Sequence, residues 1–186
     1  MKRLSIFVSG NGTNLQRIAE YFRDNRDVEI VNVVCNNPKA YAIERAKNLG
    51  IPVKMVNRQE FNSPEFTEEM ASLKLDLIVL AGFLWKIPAN LIQAYPKKIV
   101  NIHPALVPKY GGKGFYGEHV HEAVVAAKEA FSGITIHYVN EIYDNGEIIL
   151  QAYTKLDAKE TPDSLAAKIH QLEQAYFPVA IEQLLQ

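Results

Sequence analysis

Residues 4–22 read LSIFVSGNGTNLQRIAEYF and contain the pattern that decides the fold. Residues 4–8 are apolar almost throughout, which is typical of a strand buried on both faces. Two glycines follow, and apolar side chains then recur at helical spacing through residues 14–22. A strand, a glycine-rich turn and a helix in direct succession predict the first unit of a parallel α/β sheet.

The same alternation continues to about residue 100. Further strand-like runs occupy residues 28–35, 53–56, 75–81 and 99–102, with helical patterns at 41–49, from 63 onward, and at 88–95. Ser63 is a typical N-cap, and Pro64 suits the first helical position. The alternation predicts a Rossmann-like, mostly parallel sheet with helices on both faces.

The pattern changes after residue 115. A helix is predicted at residues 118–128 and strands at 133–139 and 147–153, with Asn145-Gly146 between them as a hairpin turn signal. Thr161 and Pro162 open a final helix that runs to about residue 185. We therefore expect residues 1–186 to form a single α/β domain that ends in an antiparallel hairpin and a closing helix. Residues 1–100 form its nucleotide-fold half and residues 101–186 its second half.

Composition narrows the function classes. The 186 residues are 48% apolar and 22% charged, with a net charge of -1, so no basic surface for nucleic acid or membranes is indicated. No run approaches the ~20 apolar residues that a membrane-spanning helix needs. The N-terminal apolar run is too short for a signal peptide. The single Cys35 excludes an intrachain disulfide. These features predict a cytoplasmic protein.

The glycine-rich segment at residues 9–14 is a candidate phosphate-binding loop. Glycines permit tight turns, and the free N–H groups at a helix start attract anions. Leu15 occupies the third glycine position of a dinucleotide fingerprint, and no Walker lysine follows. The loop therefore favours a monophosphate over NAD or ATP, and the alternative is a turn that merely caps the helix.

Asn101 and His103 are candidate catalytic residues at the end of a predicted strand. They alternate in the strand and so share one side of it, at the carboxyl edge where α/β sheets bind ligands. An asparagine amide can stabilise an oxyanion, and a histidine can move a proton near neutral pH. The alternative is a pair of structural residues with satisfied hydrogen bonds.

Asp144 has two interpretations. An aspartate in a hairpin is ordinarily turn chemistry, but a hairpin folded over the strand ends would place it on His103 and favour the charged imidazole. His119 and His121 point in different directions on a helix and do not predict a metal site. His137 is predicted to be structural and Cys35 to be a buried, unreactive residue.

Four segments resemble a known family in order and spacing. SGNGTNLQ, LIVLAGF, VNIHPALVPKY and HYVNEIYDNGEIILQ are similar to the phosphoribosylglycinamide formyltransferases of purine synthesis, within the wider formyltransferase family. The resemblance implies formyl transfer from 10-formyltetrahydrofolate to the amine of glycinamide ribonucleotide, with no metal. It leaves the oligomeric state open.

The resemblance also implies roles for individual residues. The implied catalytic residues are Asn101, His103 and Asp144. Those implied to bind the ribonucleotide are Gly12, Thr13, Asn14, Lys109 and Glu173. Those implied to enclose the folate, mostly through backbone groups, are Leu84, Trp85, Lys86, Ile87, Asn140, Glu141 and Asp144.

The chain departs from the family pattern near these residues. Trp85 stands where many relatives have arginine, and Pro64 stands where some have arginine. His170 stands where some relatives have glutamine. The residue pair after His103-Pro104 is also altered, since Ala105 and Val107 replace the usual serine and leucine. These departures concern ligand contacts and leave the three implied catalytic residues unchanged.

Two other functions remain as alternatives. A hydrolase of the same folate would use water in place of the amine and would release formate without the ribonucleotide. A nucleotide-binding module without catalysis would show ligand-dependent stabilisation and no turnover.

Overall fold

The computed structural model describes residues 1–186, whose internal contacts divide them into two units. The first unit comprises residues 1–101 and 185–186, and the second comprises residues 102–184. None of the helices combines the length and the apolar character that crossing a membrane would require.

The first unit is a parallel α/β sheet. Its strands are β1 (Lys2–Val8), β2 (Val28–Cys35), β3 (Val53–Met55), β4 (Leu77–Leu80) and β5 (Ile99–His103), the last two residues of which belong to the second unit. Its helices are α1 (Thr13–Tyr21), α2 (Ala42–Asn48), α3 (Arg58–Phe61), α4 (Pro64–Ser72) and α5 (Ala89–Ala94).

The strand order of the first unit identifies its ligand-binding edge. The strands lie in the order β3-β2-β1-β4-β5, and all neighbours are parallel. The direction of winding therefore reverses between β1 and β4, and α/β sheets bind ligands at the carboxyl ends of strands beside such a switch point. The loops that follow β1 and β4 are residues 9–12 and 81–88, which include the predicted phosphate loop.

Buried aromatic rings form the centre of this unit. Phe7, Phe61, Phe66 and Phe83 pack with ring centroids 5.2–6.3 Å apart. Phe61 reaches the cluster from α3, a short helix that the sequence patterns did not predict. The Asn57 side chain begins α3 by accepting a hydrogen bond from Glu60 N at 2.9 Å.

The second unit contains two helices and two strands. These are α6 (Glu118–Ala126), β6 (Phe131–Tyr138), β7 (Ile148–Lys155) and α7 (Pro162–Leu185). β6 and β7 pair antiparallel. The predicted fold class, a mostly parallel α/β sheet followed by an antiparallel pair and a closing helix, is confirmed.

The predicted hairpin is present, but its connection is not a two-residue turn at Asn145-Gly146. β6 ends at Tyr138 and β7 begins at Ile148, so residues 139–147 form a longer loop. A two-residue type I′ turn needs positive φ at both central residues, but the positive φ in this loop, 50°, belongs to Asp144. Residue 146 must be glycine for a steric reason, because a Cβ there would lie 1.6 Å from the carbonyl oxygen of Tyr138.

The predicted helix starts are confirmed by their caps. Ser63 Oγ accepts from Phe66 N at 3.2 Å, with Pro64 as the first residue of α4. Thr161 Oγ1 accepts from Ser164 N at 3.1 Å at the start of α7. These side chains satisfy backbone donors that have no partner within the helix. α6 ends earlier than predicted, and Lys128 beyond it adopts a left-handed φ of 53°.

Candidate active site

The glycine loop after β1 ends in an uncapped helix start. Gly12 is the N-cap of α1, with a φ of 78° and no side chain to cap the helix, and no acidic residue lies in the first turn. Thr13 and Asn14 are half-buried residues of that turn. A helix start without a side-chain cap, together with the positive end of the helix dipole, suits an anion such as phosphate.

Residue 12 must be glycine because of its packing as well as its φ. A Cβ there would lie 2.6 Å from Ala42 Cβ and 2.8 Å from Ala42 Cα in α2. The start of α1 therefore approaches α2 as closely as two backbones permit. Ala42 N donates to Gly10 O at 3.1 Å, which ties α2 to the same loop.

Arg45, a residue of α2 that sequence reasoning missed, is bonded to this loop. Its Nε donates to Asn11 O at 2.9 Å, and its Nη2 donates to Asn11 Oδ1 at 2.8 Å. The guanidinium lies over the ring of Tyr41, 4.9 Å from its centroid. A fixed positive charge therefore lies beside the free helix start. No short motif marked Arg45, since 33 residues separate it from Gly12.

The loop after β4 is bonded to the glycine loop. Ser9 N donates to Gly82 O at 3.1 Å, and Leu84 N donates to Ser9 Oγ at 2.9 Å. Leu84 and Lys86 are exposed, whereas Ile87 is buried. This segment, which the resemblance assigns to folate, thus lies beside the predicted phosphate loop at the switch point.

Trp85 extends the aromatic cluster toward solvent. Its ring centroid lies 5.7 Å from that of Phe61 and 6.1 Å from that of Phe83. The guanidinium of Arg58 covers the ring at 4.6 Å from the centroid, a cation–π contact. Pro64 is the first residue of α4. The two departures from the family pattern therefore have structural roles within the first unit.

His103 is buried at the end of β5, with an oxygen acceptor at each ring nitrogen. Nε2 lies 2.6 Å from the carbonyl oxygen of Tyr110, and Nδ1 lies 3.5 Å from Asp144 Oδ2. A carbonyl only accepts hydrogen bonds, so Nε2 carries a hydrogen. The proton that His103 gains or loses is therefore the one on Nδ1, facing the carboxylate.

Burial sets the titration of His103. It lowers the pKa of His103 below its ordinary value, although Asp144 and the Tyr110 carbonyl act to raise it. Asp144 acts on this pKa in the direction that the sequence analysis expected. Burial outweighs it, because a buried imidazole loses the hydration of its charged form. The unliganded ring is therefore mainly neutral at pH 7.

Asp144 lies between two imidazoles and a backbone donor. Its Oδ2 accepts from Gly112 N at 2.9 Å, and its Oδ1 lies 3.5 Å from His137 Nε2. Burial opposes ionisation, but His137, His103 and the Gly112 N–H outweigh it and lower the pKa of Asp144. The ionised carboxylate can therefore hold a proton-bearing ring nitrogen on either side.

His137 belongs to this cluster, which the interpretation as a structural residue did not anticipate. Its Nδ1 lies 2.9 Å from Tyr138 O, which leaves Nε2 facing Asp144. The alternation of β6 indicated that His137 points to one face, but only the long hairpin loop brings Asp144 back onto it. The cluster therefore consists of two imidazoles on either side of one carboxylate.

Glu173 and two histidines lie on the helices of the second unit. Glu173 Oε2 lies 3.7 Å from His170 Nδ1, and the pKa of His170 is raised by this partner. Burial lowers the pKa of His121, although the charge of Glu173 acts on it in the opposite direction. The same charge acts on His103, so Glu173 contributes to the field of the His–Asp cluster.

The remaining predicted residues of the second unit lie on loops. Asn140 Oδ1 accepts from Ile142 N at 2.9 Å within the hairpin loop, and Glu141 is exposed. The Lys109 ammonium, predicted to line the substrate groove, is paired with Glu129 and lies 5.6 Å from the Tyr110 ring centroid.

Three residues set aside by sequence reasoning are Cys35, His119 and His121. Cys35 is buried, and burial raises the pKa of its thiol, which makes it a poor nucleophile. His119 is exposed and pairs with Glu122 at 3.3 Å, whereas His121 is buried with no hydrogen-bond partner at Nδ1.

The structure thus defines a Rossmann-like α/β protein with an uncapped, glycine-initiated helix start in one unit and a buried His–Asp–His cluster in the other. Residues 2–181 match the formyl transferase family. The chain belongs to that family.

Individual relatives agree with this assignment. The phosphoribosylglycinamide formyltransferase of Bacillus subtilis is 36% identical over 191 residues, a match that covers 100% of this chain and 95% of that protein. The chloroplastic phosphoribosylglycinamide formyltransferase of Arabidopsis thaliana is 39% identical over 186 residues. That match covers 96% of this chain, which spans 64% of the length of the plant protein.

Solved structures show the same fold. The glycinamide ribonucleotide transformylase 1 of Geobacillus kaustophilus has a TM-score of 0.90 and 33% sequence identity, with 100% of each chain covered. The resemblance noted in the sequence is confirmed at the level of the family.

Proposed function

We propose that this protein transfers the formyl group of 10-formyltetrahydrofolate to the primary amine of glycinamide ribonucleotide. The observation that carries the proposal is the placement of His103 Nδ1 at 3.5 Å from the Asp144 carboxylate, with Nε2 held by a carbonyl. Relatives that span the whole chain, such as that of Bacillus subtilis, bear the name of this activity.

In the proposed reaction the amine nitrogen attacks the formyl carbon, and the carbonyl oxygen becomes an oxyanion. His103 donates from Nδ1 to this oxygen, and the Asn101 amide donates a second hydrogen bond. One such donor contributes ~3 kcal/mol to transition-state stability. His103 is mainly neutral before the reaction, so it takes up a proton from solvent at Nδ1 as the negative charge develops, donates from it to the oxyanion, and returns it to solvent when the intermediate collapses.

The tetrahedral intermediate then collapses. The attacking nitrogen loses a proton, the bond between the formyl carbon and the folate N10 breaks, and N10 gains a proton. Asp144 is ionised and faces both imidazoles, so it is suited to order a water that relays this proton. The products are the formylated ribonucleotide and tetrahydrofolate, with no covalent enzyme intermediate.

Substrate binding is assigned to the residues that the family resemblance implies. The phosphate is bound by backbone and side-chain donors of Gly12, Thr13 and Asn14, beside the Arg45 guanidinium. Glu173 accepts hydrogen bonds from ribose hydroxyls, and Lys109 contributes to the groove once it leaves Glu129. The folate takes the loop segments Leu84, Trp85, Lys86, Ile87, Asn140, Glu141 and Asp144, largely through backbone groups. We further propose that residues 1–186 act as one functional domain.

One experiment tests the proposal. The purified protein is supplied with 10-formyltetrahydrofolate, and tetrahydrofolate and formate are measured with and without glycinamide ribonucleotide. We expect tetrahydrofolate only when the ribonucleotide is present, together with formylated ribonucleotide and no formate. Formate production at an equal rate without ribonucleotide would indicate the hydrolase. Thermal stabilisation by either ligand without turnover would indicate a binding module.

A further inference from the structure

Glu129 holds two consecutive residues of the loop that follows β5. Its Oε1 accepts a hydrogen bond from the Tyr110 hydroxyl at 2.5 Å and pairs with the Lys109 ammonium. Hydrogen bonds from Lys109 and Tyr110 lower the pKa of Glu129. Burial and the Glu129 carboxylate together raise the pKa of Tyr110 to about 12. The pair is therefore an ionised acceptor and a neutral phenol throughout the physiological range.

Tyr110 connects this contact to His103. The hydroxyl of Tyr110 bonds Glu129, while its backbone carbonyl lies 2.6 Å from His103 Nε2. Its ring also packs edge-on against Phe115, with centroids 6.0 Å apart. Because one residue is held at its hydroxyl and at its carbonyl, a shift of the side chain moves the acceptor that fixes the imidazole.

The same loop also reaches Asp144. Gly112 N donates to Asp144 Oδ2 at 2.9 Å, and a Cβ at Gly111 would lie 3.1 Å from Asp144 Cβ. The segment 109–112 therefore contacts both His103 and Asp144 and sets their relative orientation. Glu129, which lies outside the segment, holds its first two residues, Lys109 and Tyr110.

We propose that Glu129 is a positioning residue for the reaction, acting through Tyr110 on the orientation of His103 toward Asp144. The role of Glu129 in catalysis rests on the proposed function, whereas its effect on the His103 ring does not. Glu129 lies outside the set of residues that touch the reacting atoms. Its effect is therefore on the rate and protonation of the reacting complex rather than on ligand affinity.

The test compares four single variants of the full chain and one double variant, Glu129→Ala with Tyr110→Phe. Glu129→Ala removes the acceptor, Glu129→Gln keeps a carbonyl oxygen for the Tyr110 hydroxyl, and Tyr110→Phe removes the donor. Glu122→Ala is the matched control, because Glu122 is a neighbouring exposed glutamate whose partner is His119. The titration of the His103 ring is followed by NMR in the unliganded protein, and kcat and KM are measured as functions of pH.

We expect Glu129→Ala and Tyr110→Phe to lower kcat by ~10-fold, since misplacement of a reacting group is costly. Both also lower the pKa of His103, because the Tyr110 carbonyl helps to raise it. The other groups that act on His103, namely Asp144, His137 and Glu173, are unchanged in every variant. Glu129→Gln recovers most of the rate, and the double variant of Glu129→Ala with Tyr110→Phe is no slower than either single variant.

Two results overturn the proposal. One is a His103 titration in Glu129→Ala and Tyr110→Phe that matches the Glu122→Ala control. The other is a change confined to KM, which would mean that Glu129 acts by releasing Lys109 to the substrate. If the wild-type protein transfers no formyl group, the proposed function fails, and the NMR titration still decides whether Glu129 orients His103.

Discussion

Asp144 Oδ2 lies 3.5 Å from Nδ1 of His103, although 41 residues separate the two in the chain. A nine-residue hairpin loop, residues 139–147, carries the carboxylate to this position. His137 faces the other carboxylate oxygen at the same distance, 3.5 Å. The cluster is therefore built so that one carboxylate serves two imidazoles, and its charge is the quantity to test first.

Asp144→Asn removes that charge while keeping the size of the side chain. We expect kcat to fall by ~100-fold or more, because the amide neither balances a protonated His103 nor relays a proton. Steady-state formyl transfer measures the change, and the exposed Asp24→Asn variant is the control. An Asp144→Asn protein with near-normal turnover would remove Asp144 from the chemistry.

The phosphate loop is tested with its two glycines. Gly12→Ala places a Cβ 2.6 Å from Ala42 Cβ at a φ of 78°, which costs ~1–3 kcal/mol in backbone strain alone. We expect KM for the ribonucleotide to rise ~10-fold or more with little change in KM for the folate. Gly10→Ala is the control, since a Cβ there meets nothing within 4 Å. Equal effects of the two changes would show that the packing of Gly12 does not shape the site.

Local sequence signals predicted the features that depend on neighbouring residues. The apolar periods of the strands and helices, the Ser63 cap and the Thr161 cap need only a few residues of context, and the structure confirms them. Asn145-Gly146 is also a local signal, and the hairpin that it predicted is present, but the connecting loop spans residues 139–147. In this loop Gly146 is required because a side chain would collide with the Tyr138 carbonyl.

The missed site residues act across distances that periodicity does not encode. Arg45 reaches Asn11 from the second helix, and Glu129 reaches Tyr110 from beyond α6. His137 became part of the cluster only because the hairpin loop returns Asp144 to its strand. The type of each residue was visible in the sequence, but its partner was fixed by the tertiary fold.

The loop from residue 104 onward depends on one buried hydroxyl. Thr135 Oγ1 donates to Ala105 O at 2.8 Å and accepts from Val107 N at 3.2 Å and Gln151 Nε2 at 3.0 Å. Thr135→Val keeps the shape but leaves these buried groups unpaired, at ~1–3 kcal/mol for an unsatisfied group. We expect a clear fall in Tm, at ~2–4 °C per kcal/mol for a chain of this size.

Thr135→Ser separates the hydroxyl from the methyl group. Serine retains the three hydrogen bonds and loses one buried methyl, so its Tm should lie between those of the wild type and Thr135→Val. Calorimetry of the three proteins under one condition gives the order. A Thr135→Val protein as stable as the wild type would show that the hydroxyl does not hold the loop.

The pH dependence of stability follows from histidines with opposite shifts. Burial lowers the pKa of His103 and His121, so their contribution is complete above the unfolded pKa of ~6.5 and is lost as pH falls through the folded pKa. Glu173 raises the pKa of His170, whose contribution is present below ~6.5 and is lost as pH rises through the folded pKa. With two histidines against one, we expect a lower Tm at pH 5.5 than at pH 7.5.

His121→Leu should reduce this difference, because it removes a buried imidazole that must be protonated. His170→Ala should enlarge it, because it removes the opposing group, and equal differences in all three proteins would contradict the assignment.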